Sequence, residues 1–96
     1  MLTGKQKRFL RAQANKIKPI FQVGKFGINE NMVAQIIDAL EKRELLKINV
    51  LQNCAEDKYT IAEKIVAETK AELVQIIGSH IVLYKESKEH KQIVLP

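Results

Sequence analysis

Residues Ile20–Leu51 read IFQVGKFGINENMVAQIIDALEKRELLKINVL, and the expected fold follows from how their apolar period changes. Ile20-Phe21-Gln22-Val23 is a short β-branched and aromatic run stopped by Gly24, the pattern of a strand. Asn29 stands where a helix N-cap is needed. Val33, Ile36, Ile37 and Leu40 then recur on one helical face, with Glu30, Asp38, Glu41, Lys42 and Arg43 outward. From Leu45 to Leu51 the period becomes two: Leu46, Ile48 and Val50 point one way, Lys47 and Asn49 the other. Strand, helix and strand in this order predict a right-handed crossover between two parallel strands, with the helix's apolar side packed on the sheet.

The flanking segments extend this unit. Upstream, Leu10, Ala14 and Ile17 recur at helical spacing between Thr3 and about Lys16, and Pro19 stops that helix. Downstream, Asp57 or Thr60 starts a third helix, with Thr60 and Glu63 spaced as a capping box and Ile61, Ala62, Ile65 and Val66 on its buried face to near Lys70. Leu73–Ile77 and His80–Tyr84 flank Gly78-Ser79, a connection suited to a tight antiparallel hairpin. After a polar stretch from Glu86 to Gln92, Ile93-Val94-Leu95 is expected as a further short edge strand. The fold class is therefore α/β (α+β): one domain over residues 1–96, in the order α-β-α-β-α-β-β, with three helices on a small mixed four-stranded sheet.

Charge is distributed unevenly along this chain. Seven of its sixteen Lys and Arg residues, and none of its eleven Asp and Glu, lie in the first 27 positions. The net +5 therefore belongs to one end, and a polyanionic partner, above all nucleic acid, is expected there. On the first helix Lys7, Arg8, Arg11 and Lys18 project opposite the apolar stripe at 100° per residue. No apolar run approaches the roughly 20 residues of a membrane span, and the basic start lacks the apolar stretch of a signal peptide, so a cytoplasmic protein without membrane contact is expected. Cys54, the single cysteine, is read as a buried or half-buried apolar residue. With only His80 and His90 besides, and no ligand spacing among them, no metal site or other cofactor is expected.

The basic end closes on Gly24-Lys25-Phe26-Gly27 between the first strand and the second helix. Glycines let a backbone approach a ligand closely, amides near a helix N-terminus favour an anion, and Lys25 adds a positive charge. Such a loop can clamp a nucleic-acid backbone as a KH-type GxxG loop does. Phe26 is available either to stack on a base or sugar or to anchor in the core. The spacing of a nucleoside-triphosphate P-loop is absent.

Leu2-Thr3-Gly4-Lys5-Gln6-Lys7-Arg8, Leu10-Arg11, Lys18-Pro19, Gln22-Val23-Gly24-Lys25 with Gly27, Glu44-Leu45 with Lys47, and Val82-Leu83-Tyr84-Lys85 together carry a resemblance over nearly the whole chain. The sequence resembles the CRM-domain family, named for chloroplast RNA splicing and ribosome maturation, in its bacterial stand-alone YhbY type. That resemblance implies an RNA-binding module related in fold to the C-terminal domain of translation initiation factor three. It also implies ribosomal RNA in large-subunit precursors as the target. Arg43 departs from the His that the family commonly carries before the Glu-Leu pair.

The expected function is non-catalytic RNA binding that assists large-subunit assembly, with no small-molecule substrate. Gly24 and Gly27 would shape the loop, Lys25 would contact phosphate, and Lys7, Arg8, Arg11, Lys18 and Lys47 would extend the basic surface. Glu44 is assigned to structure, as a cap or ion-pair partner. Two other readings are a basic protein-interaction or membrane-surface module built on the first helix, and a small RNA-processing enzyme using Glu44, His80 and Lys25. The first needs an apolar stripe that the core also needs, and the second lacks any paired-carboxylate, His-carboxylate or nucleophile motif.

Overall fold

Each helix begins where a short polar side chain can take an otherwise unpaired amide. The computed structural model describes residues 1–96. In it Thr3 Oγ1 accepts from the Gln6 N–H and Gln6 Oε1 from the Thr3 N–H, a reciprocal pair that starts α1 (Gly4–Ala14). Asn29 Oδ1 accepts from the Met32 N–H and starts α2 (Glu30–Arg43). Asp57 Oδ1 accepts from the Thr60 N–H and starts α3 (Lys58–Thr69). The Thr60–Glu63 capping box is therefore not formed: Thr60 is already inside the helix that Asp57 opens.

Between them run β1 (Phe21–Val23), β2 (Leu45–Val50), β3 (Glu72–Ile77) and β4 (His80–Tyr84), in the sheet order β1-β2-β4-β3. β1 and β2 are parallel, with Phe21 opposite Ile48, while β4 is antiparallel to both β2 and β3. A one-residue irregularity between Leu73 and Gln75 marks a bulge in β3.

The period-two alternation of β2 sorts side chains between two cores. Leu46, Ile48 and Val50 join Val23, Ile81 and Leu83 under Ile36 and Leu40 of α2 and Ile61, Ala62 and Ile65 of α3. On the opposite face Leu45, Val74, Val82 and Tyr84 meet Leu10 and Ala14 of α1. Ile37, expected on the buried stripe of α2, is exposed. The stripe is rotated toward Met32 and Ala39, which pack on the first core, and leaves Ile37 on the outer flank.

Residues 86–96 form no strand, contrary to the expectation for Ile93–Leu95. Entry into a ladder is blocked at its first residue: the Ile93 amide is committed to Glu44, whose Oε1 accepts from the N–H groups of Gln92 (2.6 Å) and Ile93 (2.8 Å) and whose Oε2 accepts from that of Ser87 (2.8 Å). Glu41, one turn earlier, accepts from the N–H groups of Lys88 and Glu89 and the Ser87 hydroxyl. Ile93 and Leu95 then pack beside α1 in the second core. Glu44 is fully buried and sits at φ 64, outside the usual range of a residue with a side chain.

The two carboxylates respond to this anchoring. The Lys88 and Glu89 amides, the Ser87 hydroxyl and His90 hold Glu41 down to about 2 from an ordinary 4.5, against a smaller opposing push from burial. Burial pushes Glu44 up, but the Ser87, Gln92 and Ile93 amides together with Lys91 outweigh it and keep its carboxyl below the ordinary value. Because both folded values are lowered, the unfolded chain takes up protons first as pH falls. Anchoring is then complete above about pH 4.5 and is lost toward about pH 2. Protection of the Ser87, Lys88, Glu89, Gln92 and Ile93 amides, measured as exchange relative to the intrinsic rate at each pH, is expected to hold down to that window and to fall within it. At neutral pH Glu44→Gln is expected to cost about 1–3 kcal/mol in a denaturant titration, since one carbonyl oxygen cannot serve three donors, of which the Ser87 amide is buried.

Candidate nucleic-acid interface

The sheet's strand directions bring three connections to one end of the molecule. β1 and β2 both finish there, at Val23 and Val50, and the β3–β4 turn at Gly78-Ser79 lies beside them: the Val50 N–H donates to Ser79 O and the Leu51 N–H to Val23 O. The Gly24–Gly27 loop, the β2–α3 connection and the Gly78-Ser79 turn thus share this end, opposite the Glu44 anchor.

Gly24-Lys25-Phe26-Gly27 is a tight turn, closed by the Gly27 N–H donating to Gly24 O at 3.0 Å. One amide that an anion could have used is therefore taken by the turn. Gly27 adopts φ +70, and a Cβ there would meet Glu56 Oε1 at 3.4 Å; at Gly24 the nearest atom would be Leu51 Cδ1 at 3.9 Å. Lys25 and Phe26 occupy the two corners, both exposed. Phe26 is 92% exposed, which removes the core-anchor reading, and Lys25 Nζ lies 5.7 Å from its ring centroid.

The basic residues of the first segment are divided by where α1 ends. Lys7, Arg8 and Arg11 lie on the helix, whose flank with Gln6 and Phe9 meets the tail: Gln6 Nε2 donates to Pro96 O, and Phe9 packs in the core shared by Ile93 and Leu95. At 100° per residue Lys7 and Arg11 fall on the other flank. Lys18, expected on the same helical face, lies four residues beyond Ala14 in the approach to β1, so its position is set by that connection.

α1 covers only part of its side of the sheet. The Ile20 N–H donates to Lys47 O, and the pairings Gln22–Asn49 and Asn49–His80 continue a row across β1, β2 and β4 on that side. Gln22 is exposed, while Lys47, Asn49 and His80 are half-buried. This row carries no acid and lies between the Lys7–Arg11 flank and the Gly24–Gly27 loop. Gln22, Asn49 and His80 were not expected at the site, although the alternation of β2 already placed Asn49 beside Lys47 and away from the main core.

The remaining chemistry-bearing residues are placed elsewhere. Glu44 is committed to the tail amides, and Cys54 is half-buried against the first core. No three His, Cys, Asp or Glu residues form a group that could hold a metal ion, and no helix is long and apolar enough to cross a membrane.

Comparison with known proteins places this architecture. The sequence model of the CRS1 / YhbY (CRM) domain family matches residues 2–85. The chain is 65% identical over 96 residues to a protein of Bacillus subtilis (strain 168) named "Probable RNA-binding protein YqeI", with both chains covered completely. It is 43% identical over 95 residues to a protein of Haemophilus influenzae named "RNA-binding protein", covering 99% of this chain and 95% of that one. The solution structure of the hypothetical protein SAV1595 from Staphylococcus aureus superposes with a TM-score of 0.83 at 62% identity, covering both chains fully.

The two loop glycines are expected to differ in a thermal or denaturant melt. Gly27→Ala forces a Cβ into the left-handed region and is expected to cost about 1–2 kcal/mol. Gly24→Ala meets only ordinary contact with Leu51 and is expected to stay within about 0.5 kcal/mol of the parent.

Proposed function

The chain belongs to the CRS1 / YhbY (CRM) domain family, and on that footing we propose that residues 1–96 form one RNA-binding domain that acts without catalysis. The observation that carries this reading is the Gly24–Gly27 turn, which holds Lys25 and Phe26 out in solvent at the margin of an acid-free sheet surface. Phosphate contacts fix such a protein on its RNA, and they need mobile cations close to a backbone that can be approached. Lys25 has that position, Gly24 and Gly27 open the approach, and Phe26 supplies a stacking face. Lys7, Arg8, Arg11, Lys18 and Lys47 extend the positive surface away from the loop. The names carried by the Bacillus and Haemophilus relatives support RNA as the partner.

The RNA is ribosomal, in precursors of the large subunit, and the protein assists assembly in the cytoplasm by holding a segment of it. This finer part rests on the resemblance to YhbY-type proteins. RNA crosslinked to the protein in cells and identified by sequencing tests it, with enrichment of large-subunit precursor RNA expected. Recovery of chiefly other RNAs would overturn the ribosomal assignment.

Lys25→Glu is expected to weaken binding to single-stranded RNA while the melting temperature stays near that of the parent, because the exposed side chain loses only its contact with the exposed Phe26 ring. Lys42→Glu makes the same change of net charge in the last turn of α2, about 20 Å along that helix from the loop, and is expected to have a much smaller effect. Equal losses in the two variants would reduce the loop to a contributor of bulk charge. In the same assay log affinity is expected to fall against log salt with a slope of about −0.7 per phosphate contact.

A further inference from the structure

The chain contains two Lys-aromatic pairs whose rings are exposed. Its five Phe and Tyr residues are Phe9, Phe21, Phe26, Tyr59 and Tyr84. Only Phe26 and Tyr59 are exposed, at 92% and 60%. Each follows a lysine that reaches back over its ring: Lys25 Nζ lies 5.7 Å from the Phe26 centroid and Lys58 Nζ 5.4 Å from that of Tyr59. Phe26 belongs to the surface already described, whereas Tyr59 has no part in the fold's two cores.

Tyr59 lies at the start of α3, where the β2–α3 connection and the Gly78-Ser79 turn enclose an open cleft of about 370 Å³. Leu51 and Cys54 give the cleft apolar wall, while Gln52 and Ser79 supply polar groups. Lys58 ties the two sides together, its Nζ donating to Gly78 O. With the ammonium over one face of the Tyr59 ring and 60% of the residue in solvent, the ring is held in place with area to offer. Two acids also line the cleft, and both carboxylates already have partners: Glu56 is paired with Lys64, and Asp57 caps α3. The cleft is also continuous with the Gly24–Gly27 loop, since Leu51, one of its walls, is the nearest neighbour of the Gly24 α-carbon's open side, and Glu56 lies against Gly27.

We propose that this cleft is a second nucleotide subsite: the base of an unpaired nucleotide stacks on Tyr59, next along the strand from the segment held by the Gly24–Gly27 loop, with Lys58 serving its phosphate. The proposal rests on the RNA-binding reading above and deepens it by naming the RNA as single-stranded where it crosses this end of the molecule. A duplex keeps its bases stacked on one another and cannot offer one to a protein ring. Aromatic stacking of this kind tolerates any base, so the subsite contributes affinity rather than sequence choice.

The protein supplies its own reporter, because it has no tryptophan and two tyrosines, of which Tyr84 is buried. Titration with a mixed-sequence single-stranded RNA is expected to quench tyrosine emission, and the duplex of the same sequence to leave it nearly unchanged. By anisotropy of the fluorescein-labelled strand, Tyr59→Ala is expected to bind about 5- to 150-fold more weakly than the parent. Tyr59→Phe keeps a stacking face, so it is expected to retain affinity while losing the quenching. If the parent binds the strand but its emission is unchanged, or if a folded Tyr59→Ala binds as tightly as the parent, the subsite is refuted and the wider RNA reading stands. If the parent does not bind the strand by anisotropy, both fall together.

Discussion

One buried carboxylate organises the end of the molecule remote from the candidate interface. Glu44 terminates α2, begins the turn into β2 and gathers the amides of Ser87, Gln92 and Ile93. A glycine would adopt its positive φ with less strain, but a glycine has no oxygen to offer. The cost of the backbone geometry, of order 1–3 kcal/mol, is offset by charge-assisted hydrogen bonds to three amides that the tail could not otherwise satisfy without water. With the tail fastened, Ile93 and Leu95 complete the core beneath α1. α1 is thereby held on the sheet from one flank, leaving its Lys7–Arg11 flank free.

This division of labour gives the molecule two unlike ends. At the anchored end polar groups are paired with one another, and even the α3 terminus is closed, with Lys85 Nζ donating to Thr69 O at 2.9 Å. At the other end three connections expose cations, aromatic rings and glycine backbone. The β2 strand joins the two, since its alternate residues fill the core on one face and continue the acid-free row on the other. The family match ends at residue 85, so the segment that Glu44 fastens lies beyond the matched region although Glu44 is inside it.

Much of this was legible in the residues because it depends on local physics. A β-branched and aromatic run stopped by Gly24 located β1, and the change from period 3.6 to period two located α2 and β2, while Asn29 and Gly78-Ser79 marked a cap and a hairpin through their own side-chain and backbone preferences. The acid-free first 27 residues and the GxxG spacing likewise identified the candidate loop. Apolar period and capping preference require no knowledge of distant chain, which is why helix and strand identities needed little correction.

What depended on distant chain could be decided only in three dimensions. Ile93-Val94-Leu95 has a strand's composition, but whether it pairs depends on where its amides go, and Glu44, 49 residues before Ile93, takes that residue's amide. Lys18 has helical spacing from Arg11, yet α1 ends at Ala14. Tyr59 looks like any residue in an amphipathic segment until the sheet order carries the Gly78-Ser79 turn beside it and the Gly24–Gly27 loop next to Leu51. Periodicity reports which way a side chain points from its own element; which surface that direction becomes is settled by the packing of elements that sequence separates.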